Sequence, residues 1–319
     1  MGQCGCTGQP VNRYGNLWKK RMTYTNRISK STNLIFNIIF LALALACIVP
    51  FVLVFMISIS DEETIRLYGY HLIPKKFSLE AYRFLWNERG MMLQSLSISL
   101  TNTIIGTLIS VMLTTSMGYV LSRPQYKMKG FLTYMIFIPM IFSGGMVASF
   151  VVNINILHLR DTIWSMILPL LLSSFNIIIC RSFFKSTIPE SVIESARIDG
   201  ASQLRIYGKI VLPLSAPVIA TMALFSSFGY WNDWYQASLY ISNPKLIPLQ
   251  TMLMKLQADI DYIANNPATG VSLLQYIANM PTNGVRMAIA VVVIIPIACA
   301  YPFFQKYFIS GLTIGAVKG

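Results

Sequence analysis

The chain has 319 residues, of which 55% are hydrophobic and only 12% are charged, and its mean hydropathy is +0.58. Soluble domains carry about 25% charged residues, so this composition excludes an ordinary soluble protein and indicates one that crosses a membrane several times. The formal net charge of +13 would suit a nucleic-acid-binding protein, but the way the charge is distributed along the chain favours a membrane topology instead.

Six charge-free stretches are long enough to cross about 30 Å of hydrocarbon as helices. They predict an all-α integral membrane protein with six transmembrane helices, at about residues 34–60, 92–121, 131–154, 162–180, 211–231 and 287–304. Residues 1–30 are predicted to be a cytoplasmic basic tail and residues 31–319 the six-helix transmembrane domain. A seventh charge-free stretch, 262–285, is rich in Asn, Pro, Thr and Gly. Unpaired polar groups are costly in lipid, so this stretch is predicted to be an extramembrane loop.

The basic residues predict which way the chain is inserted. If the N-terminus is inside the cell, the inner segments hold 16 of the 25 Lys and Arg residues but only three acidic residues, Glu190, Glu194 and Asp199. The outer segments hold nine basic and nine acidic residues. Because inner loops of membrane proteins carry an excess of Lys and Arg, both termini are predicted to be cytoplasmic. Nucleic acid is not an expected partner.

The second predicted span and the N-terminal tail each contain one feature that bears on local structure. The second predicted span opens with the sequence L-S-I-S-L-T-N-T (96–103). Such a span is predicted to face protein or water rather than lipid, with Asn102 most simply explained by a hydrogen bond to another helix. Cys4 and Cys6 have the spacing of a metal-binding pair, but no second pair or histidine lies nearby, so no metal site is predicted.

A polar segment that starts at Pro189 separates the fourth and fifth predicted spans. A helix is predicted from Pro189, since proline is tolerated in a first turn and the acidic Glu190 and Glu194 are stabilised near the positive end of a helix. Asp199 and Gly200 are predicted to end it, because glycine adopts the left-handed conformation common at helix C-termini. A second short helix is predicted from Ala201.

The end of the fifth predicted span combines aromatic and polar side chains. Residues 225–240 read F-S-S-F-G-Y-W-N-D-W-Y-Q-A-S-L-Y. Sugars present apolar C–H faces and hydroxyl edges, and aromatic rings beside amide or carboxylate groups complement both. The predicted translocation path therefore includes Trp231, Asn232, Asp233, Trp234, Tyr235 and, less directly, Asn102. The alternative is a purely structural belt of aromatic residues at the membrane interface.

The loop 189–209 resembles the EAA loop of ABC importer permeases, which docks on a cytoplasmic ATPase. The family pattern E-A-A-x-x-x-G, followed by I-x-L-P, is matched by Glu194, Ala196, Gly200, Ile210, Leu212 and Pro213. Ser195 stands where the family has alanine, one small residue for another. From about residue 30 onward the chain resembles carbohydrate-importer permeases, most closely the MalG-like subunit and its branch for complex oligosaccharides and polysaccharide fragments.

This resemblance implies a type I ABC importer permease fold in a multi-pass protein of the bacterial plasma membrane. It implies coupling to the ATPase through Glu194, Ser195, Ala196, Asp199, Gly200 and Ala201. The implied partners are a homologous second permease, two cytoplasmic ABC ATPase subunits, an extracellular solute-binding protein, an oligosaccharide substrate and membrane lipid. ATP and Mg would be bound by the ATPase subunits, so no cofactor is expected in this chain.

No catalytic constellation is found in the sequence, and the chain is predicted to be a non-catalytic subunit of an ATP-hydrolysing transporter. The predicted spans hold almost no ionisable side chains, which ion-coupled carriers keep at membrane depth. Two alternatives remain: an ABC importer permease for amino acids, peptides or other small solutes, and an ion-coupled carrier or channel.

Overall fold

The computed structural model describes residues 29–87, 89–265 and 282–316. These residues form helices joined by short turns, and their only strand-like pairing is an isolated β-bridge between Ser60 and Phe77. By internal contacts the chain divides into two units, Met1–Leu53 and Val54–Gly319. The first described helix begins in the first unit, and all the others lie in the second.

The helices follow one another closely. The first half of the chain contains α1 (Lys30–Ser58), α2 (Glu62–Tyr68), α3 (Glu80–Asn87), α4 (Arg89–Ser122), α5 (Lys129–Ile141) and α6 (Gly145–Val151), which continues as a π-helix (Val152–Ile156). Then come α7 (Trp164–Ile167) with a 3-10 turn (Leu168–Leu170), α8 (Ser174–Thr187), α9 (Glu190–Ile198) and α10 (Gln203–Ile206) with a π-helix (Tyr207–Val211). The last are α11 (Leu212–Leu214), α12 (Ala216–Trp231), α13 (Tyr235–Tyr240), a 3-10 turn (Pro244–Leu246), α14 (Leu249–Asn265) and α15 (Thr282–Ala316).

Two of the described helices, α1 and α4, are each long and apolar enough to cross a membrane. Two bent pairs also qualify if each is one span: Trp164–Leu170 with Ser174–Thr187, bent by 52°, and Gln203–Leu214 with Ala216–Trp231, bent by 83°. The described residues thus offer two to four candidate spans, and shorter apolar helices lie at Lys129–Ile141, Gly145–Ile156 and Asn283–Cys299. The total of six stays a prediction.

Both bends have local causes in the sequence. At the first, Ser173 begins α8 by accepting the N–H of Asn176 on its hydroxyl at 3.5 Å, which favours a new helix start. At the second, Pro213 and Pro217 flank Ser215, and proline lacks the N–H that a continuous helix needs. The predicted span 211–231 corresponds to α12, which begins only at Ala216.

Helix α4 lies at the centre of the second unit, packed against α8 and α12. Its buried face carries small and polar side chains, among them Ser99, Asn102 and Ser110, so the prediction that this helix faces protein is confirmed. A Cβ atom added at Gly106 would lie 2.6 Å from the ring of Tyr230 on α12. One added at Gly118 would lie 2.6 Å from the Cβ of Cys180 on α8. Glycine therefore permits the close helix contacts on both sides.

At the end of the bundle where α4 begins, acidic side chains fix the connection between α1 and α3. Glu62 accepts hydrogen bonds from the backbone N–H groups of Asn283 (3.1 Å) and Gly284 (3.0 Å) and so caps α15. Partial burial raises the pKa of the Asp61 carboxyl, but hydrogen bonds from Lys76 (3.2 Å) and Thr64 outweigh it and hold the pKa below its usual value. Of the predicted outer loop 262–285, residues 266–281 lie outside the described residues.

The close packing at Gly118 predicts that the same substitution changes stability differently at two glycines. Gly118→Ala should lower the melting temperature, because the added methyl must displace the backbone of α8, at a cost of about 1–3 kcal/mol. Gly130→Ala, on α5, meets nothing within 4 Å and should leave stability unchanged or raise it by up to about 1 kcal/mol. Thermal unfolding of both variants in detergent micelles measures the difference. Equal melting temperatures would contradict the proposed contact.

Candidate functional site

Helix α9 projects from the bundle with one buried and one exposed face. Ile193 is fully buried and Ala196 is 9% exposed, and both pack on a core formed with α4, α8 and α12. Glu194 and Ser195 are exposed on the other side, and the side chain of Ile198 is 86% exposed. The last residue of α9 is therefore an apolar side chain that the described residues leave uncovered.

The turn after α9 has the predicted conformation. Gly200 adopts a φ angle of +78°, which residues other than glycine rarely adopt. Its N–H donates to the carbonyl of Arg197 at 3.0 Å. The N–H of Ala201 donates to the carbonyl of Ala196 at 2.9 Å. The second helix begins at Gln203 rather than at the predicted Ala201, because Ser202 caps it by accepting the N–H of Arg205.

The six residues predicted to couple this loop to a partner fall into two groups. Glu194, Ser195, Asp199 and Gly200 are exposed together along one edge of the loop. Ala196 and Ala201 instead lie against the core, where small side chains let the loop sit close to the helices beneath it. The exposed group forms a surface and the two alanines form its base.

A buried arginine fixes this base to the bundle. Arg123, at the end of α4, is 6% exposed and donates from Nη1 to Oε2 of Glu190 at 3.0 Å, so that the end of α4 is paired with the first turn of α9. Its Nη2 donates to the carbonyl of Phe184 on α8 at 3.4 Å, and its Nε to the hydroxyl of Ser122 at 3.0 Å. The guanidinium carbon lies 5.2 Å from the ring centroid of Tyr119. One side chain therefore joins α4, α8 and α9.

A second contact holds the loop to α4 on the other side. The hydroxyl of Tyr207, in the π-helix after α10, lies 2.8 Å from Thr115 Oγ1 and accepts from Ser116 Oγ at 3.2 Å. Its ring packs against that of Tyr119 with 5.4 Å between the centroids. The loop is thus attached to α4 at both of its ends.

Sequence reasoning missed Arg123, although a signal was present. The residue is the first charged side chain after the charge-free run 90–122, and Glu190 is the first acidic one in the loop. A charge at the end of a span and an opposite charge at the start of the next polar helix are candidates for an ion pair. Their spatial proximity depends on the packing of α4 against α8, which the sequence pattern does not specify.

The predicted aromatic and polar cluster is divided by the structure. Trp231 is 5% exposed and packs with Leu249 and the start of α15, so it belongs to the core. Trp234 and Tyr235 remain 42% and 39% exposed, and their rings meet edge to face at 6.0 Å. Asn232 is also exposed. Asn102 is only 1% exposed and lies inside the bundle.

Hydrogen bonds within the chain hold this cluster in place. Asn232 donates from Nδ2 to the carbonyl of Phe228 at 3.0 Å, and Asp233 Oδ1 accepts the N–H of Gln236 at 3.3 Å. Past α13, Asp161 Oδ1 accepts the N–H groups of Asn243 and Ser242. These two backbone donors hold the pKa of the half-buried Asp161 carboxyl below its usual value. The cluster is a rigid turn with two exposed rings.

Three known bacterial and archaeal proteins are similar to this chain over most of its length. The protein LplC of Bacillus subtilis is 36% identical over 284 residues, covering 89% of this chain and 94% of that protein. The polygalacturonan/rhamnogalacturonan transport system permease protein YtcP of B. subtilis is 38% identical over 279 residues, covering 88% and 95%. The trehalose/maltose transport system permease protein MalG of Thermococcus litoralis is 27% identical, covering 87% and 94%.

A solved structure and a family model agree with these relatives. The crystal structure of a bacterial ABC transporter involved in the import of the acidic polysaccharide alginate contains a chain with a TM-score of 0.76 and 28% identity, covering 89% of this chain and all of that one. The model of the binding-protein-dependent transport system inner membrane component family matches residues 115–314, which include the loop with its Arg123 anchor. The chain belongs to this family of ABC transporter permeases, the non-catalytic membrane subunits of importers.

Proposed function

We propose that this chain forms half of the translocation pore of an ATP-driven, binding-protein-dependent importer of oligosaccharides, and that the loop 189–209 couples it to the ATPase. The observation that carries the coupling role is the combination of an exposed edge, from Glu194 to Gly200, with a base tied to α4 and α8 through Arg123. A partner that moves the edge therefore moves a rigid body connected to the pore helices.

The proposed assembly contains a homologous second permease, two cytoplasmic ABC ATPase subunits and an extracellular solute-binding protein. Six spans with both termini in the cytoplasm place the loop 189–209 on the ATPase side, in agreement with the excess of basic residues there. ATP and Mg bind to the ATPase subunits, and this chain needs no cofactor. Closure of the ATPases on ATP would draw the two permease loops together and open the pore outward, and hydrolysis would reset it.

Oligosaccharides are the proposed cargo because relatives that cover most of the chain carry the names of sugar and polysaccharide-fragment transporters. The exposed rings of Trp234 and Tyr235, next to the amide of Asn232, suit the faces and hydroxyl edges of a sugar. A permease for amino acids or peptides would share the loop and the fold, so the cargo has to be measured directly.

The cargo is tested by reconstituting the full complex with the binding protein encoded beside it and measuring ATP hydrolysis across a panel of solutes. The panel should contain neutral oligosaccharides, acidic uronide oligomers, amino acids and peptides. We expect one class of oligosaccharide to stimulate hydrolysis. Stimulation by amino acids or peptides alone would reject the cargo and leave the importer, while transport that persists without any ATPase would indicate a carrier or channel.

The exposed face of α9 predicts a local effect on coupling. Ile198→Asn removes an 86% exposed apolar side chain from the proposed ATPase contact and should reduce stimulated hydrolysis by about tenfold, as loss of an interface hot spot does. Val192→Asn is the matched control, because Val192 is 39% exposed on the same helix, about 120° away around its axis. Equal activity of the two variants would place the ATPase contact elsewhere.

If the Arg123–Glu190 ion pair helps to couple the loop to the pore, its removal should affect transport as well as stability. Arg123→Met and Glu190→Gln should each lower the melting temperature and the sugar transported per ATP, because each leaves its partner without a counter-charge. The double variant should recover part of both losses, with an interaction energy of about 0.5–3 kcal/mol.

The control for that cycle is the ion pair at the other end of the bundle. Lys76 Nζ lies 3.2 Å from Asp61 Oδ1, so Lys76→Met and Asp61→Asn remove a pair of similar length. These variants should affect stability without changing the sugar transported per ATP. If both pairs alter that ratio equally, Arg123 has no special part in coupling.

A further inference from the structure

The predicted substrate cluster is not the only place where aromatic and polar side chains meet. A cavity of about 420 Å³ lies where α7 and its 3-10 turn give way to α8, facing the C-terminal half of α12. Its lining includes Ser173, Phe175 and Asn176 on one side and Phe225, Gly229 and Tyr230 on the other. This volume is within the range of about 300–1,000 Å³ typical of small-molecule sites.

The cavity lies beside the middle of α4 rather than at one of its ends. Tyr230 packs over Gly106 of α4, and the neighbouring Ser226 hydroxyl lies 3.1 Å from that of Ser110. Ser110 is 12 residues before the end of α4 at Ser122, which corresponds to about 18 Å along a helix. That is roughly half of a 30 Å hydrocarbon layer.

Non-helical backbone interrupts the span at this depth. Residues 171–173 belong to neither helix, and the side chain of Leu172 is 48% exposed. Irregular backbone is tolerated at membrane depth only where it is buried in protein or lines a water-filled cavity, since lipid cannot satisfy its polar groups. The non-helical backbone at residues 171–173 therefore favours a water-filled cavity here over contact with lipid.

Side chains around the cavity are of two kinds. Ser226 and Tyr230 form hydrogen bonds within the bundle. Ser226 lies 3.1 Å from the Ser110 hydroxyl, and the Tyr230 hydroxyl donates to the carbonyl of Ile167 at 3.1 Å. Phe175 and Phe225 are 58% and 41% exposed and present their rings, while the carboxamide of Asn176 has no hydrogen-bond partner among the described residues. A lone amide beside two phenyl rings complements a sugar, whose C–H face stacks on a ring and whose hydroxyls bond to the amide.

Gly229 determines how much room the cavity has. It is exposed in the last turn of α12, and a Cβ atom added there would meet nothing within 4 Å. Helix packing therefore gives no reason for a glycine at this position, in contrast to Gly106 and Gly118. Its missing side chain instead leaves open space in the cavity wall.

We propose that the cavity at the break before α8 is a contact site for a neutral pyranose unit of the cargo as it crosses the membrane. The lining has no charged side chain, so the site would hold the C–H face and hydroxyl groups of a sugar and would not pair with a carboxylate. This inference rests on the proposed import of oligosaccharides. It adds a binding site that includes Asn176, Phe225 and Gly229, on the spans either side of the coupling loop.

The test is sugar uptake per ATP hydrolysed by the full complex in proteoliposomes. Gly229→Leu should lower that ratio about tenfold, because it fills the cavity without straining the helix. Asn176→Ala should lower it several-fold through loss of one hydrogen bond to the sugar. Gly130→Leu, which also adds a side chain to open space on a helix, is the matched control and should leave the ratio unchanged.

Three results would overturn the proposal, and each would reject a different part of it. An unchanged ratio in Gly229→Leu would mean that the cargo does not pass through this cavity. Failure of Gly229→Leu to assemble with the second permease, with Gly130→Leu assembling normally, would mean that the partner fills it. Absence of any oligosaccharide uptake by the unmodified complex would reject the proposed cargo itself, and the sugar site with it.

Discussion

Inside a membrane, helices gain little from hiding apolar surface from water, because lipid tails are equally apolar. Helix α4 meets this constraint with glycines at the two points of closest approach, Gly106 and Gly118, and with hydroxyl groups between them. The Ser110–Ser226 contact shows how two small polar residues satisfy each other at membrane depth. The relative positions of α8 and α12, and therefore of the loop that joins them, depend on this packing.

The loop itself combines two properties that are usually in conflict. Its outer edge must stay exposed to meet a partner, while its base must be rigid enough to transmit displacement. Arg123 resolves the conflict by bringing a charge from the end of α4 to both Glu190 and the carbonyl of Phe184. A guanidinium suits this position because its planar fork donates in several directions at once, which the single ammonium group of lysine does not.

The sequence predicted features that depend on neighbours along the chain. The helix stop at Gly200 follows from local backbone chemistry, and the buried polar face of α4 follows from its Ser and Thr content. It could not predict features that depend on residues far apart in sequence. Trp231 looked like part of a sugar path because aromatic residues crowd around it, yet packing against Leu249 and α15 buries it.

Asn176 and Gly229 illustrate the same limit from the opposite direction. In the sequence each is an unremarkable residue within an apolar segment, separated by more than fifty positions. Only the break before Ser174 and the packing of α12 bring them to one cavity. A pattern search that rewards dense aromatic clusters will pass over a site assembled from single residues on two helices.

The coupling loop and the cavity are physically connected through one helix. Helix α8 carries Phe184, whose carbonyl binds Arg123, near one end, and Asn176 at the other. Phe184 lies eight positions after Asn176, which corresponds to about 12 Å of continuous helix. Residues 171–173 leave the helix just beyond Asn176, so the continuous helix that links the loop to the cavity ends at the cavity wall.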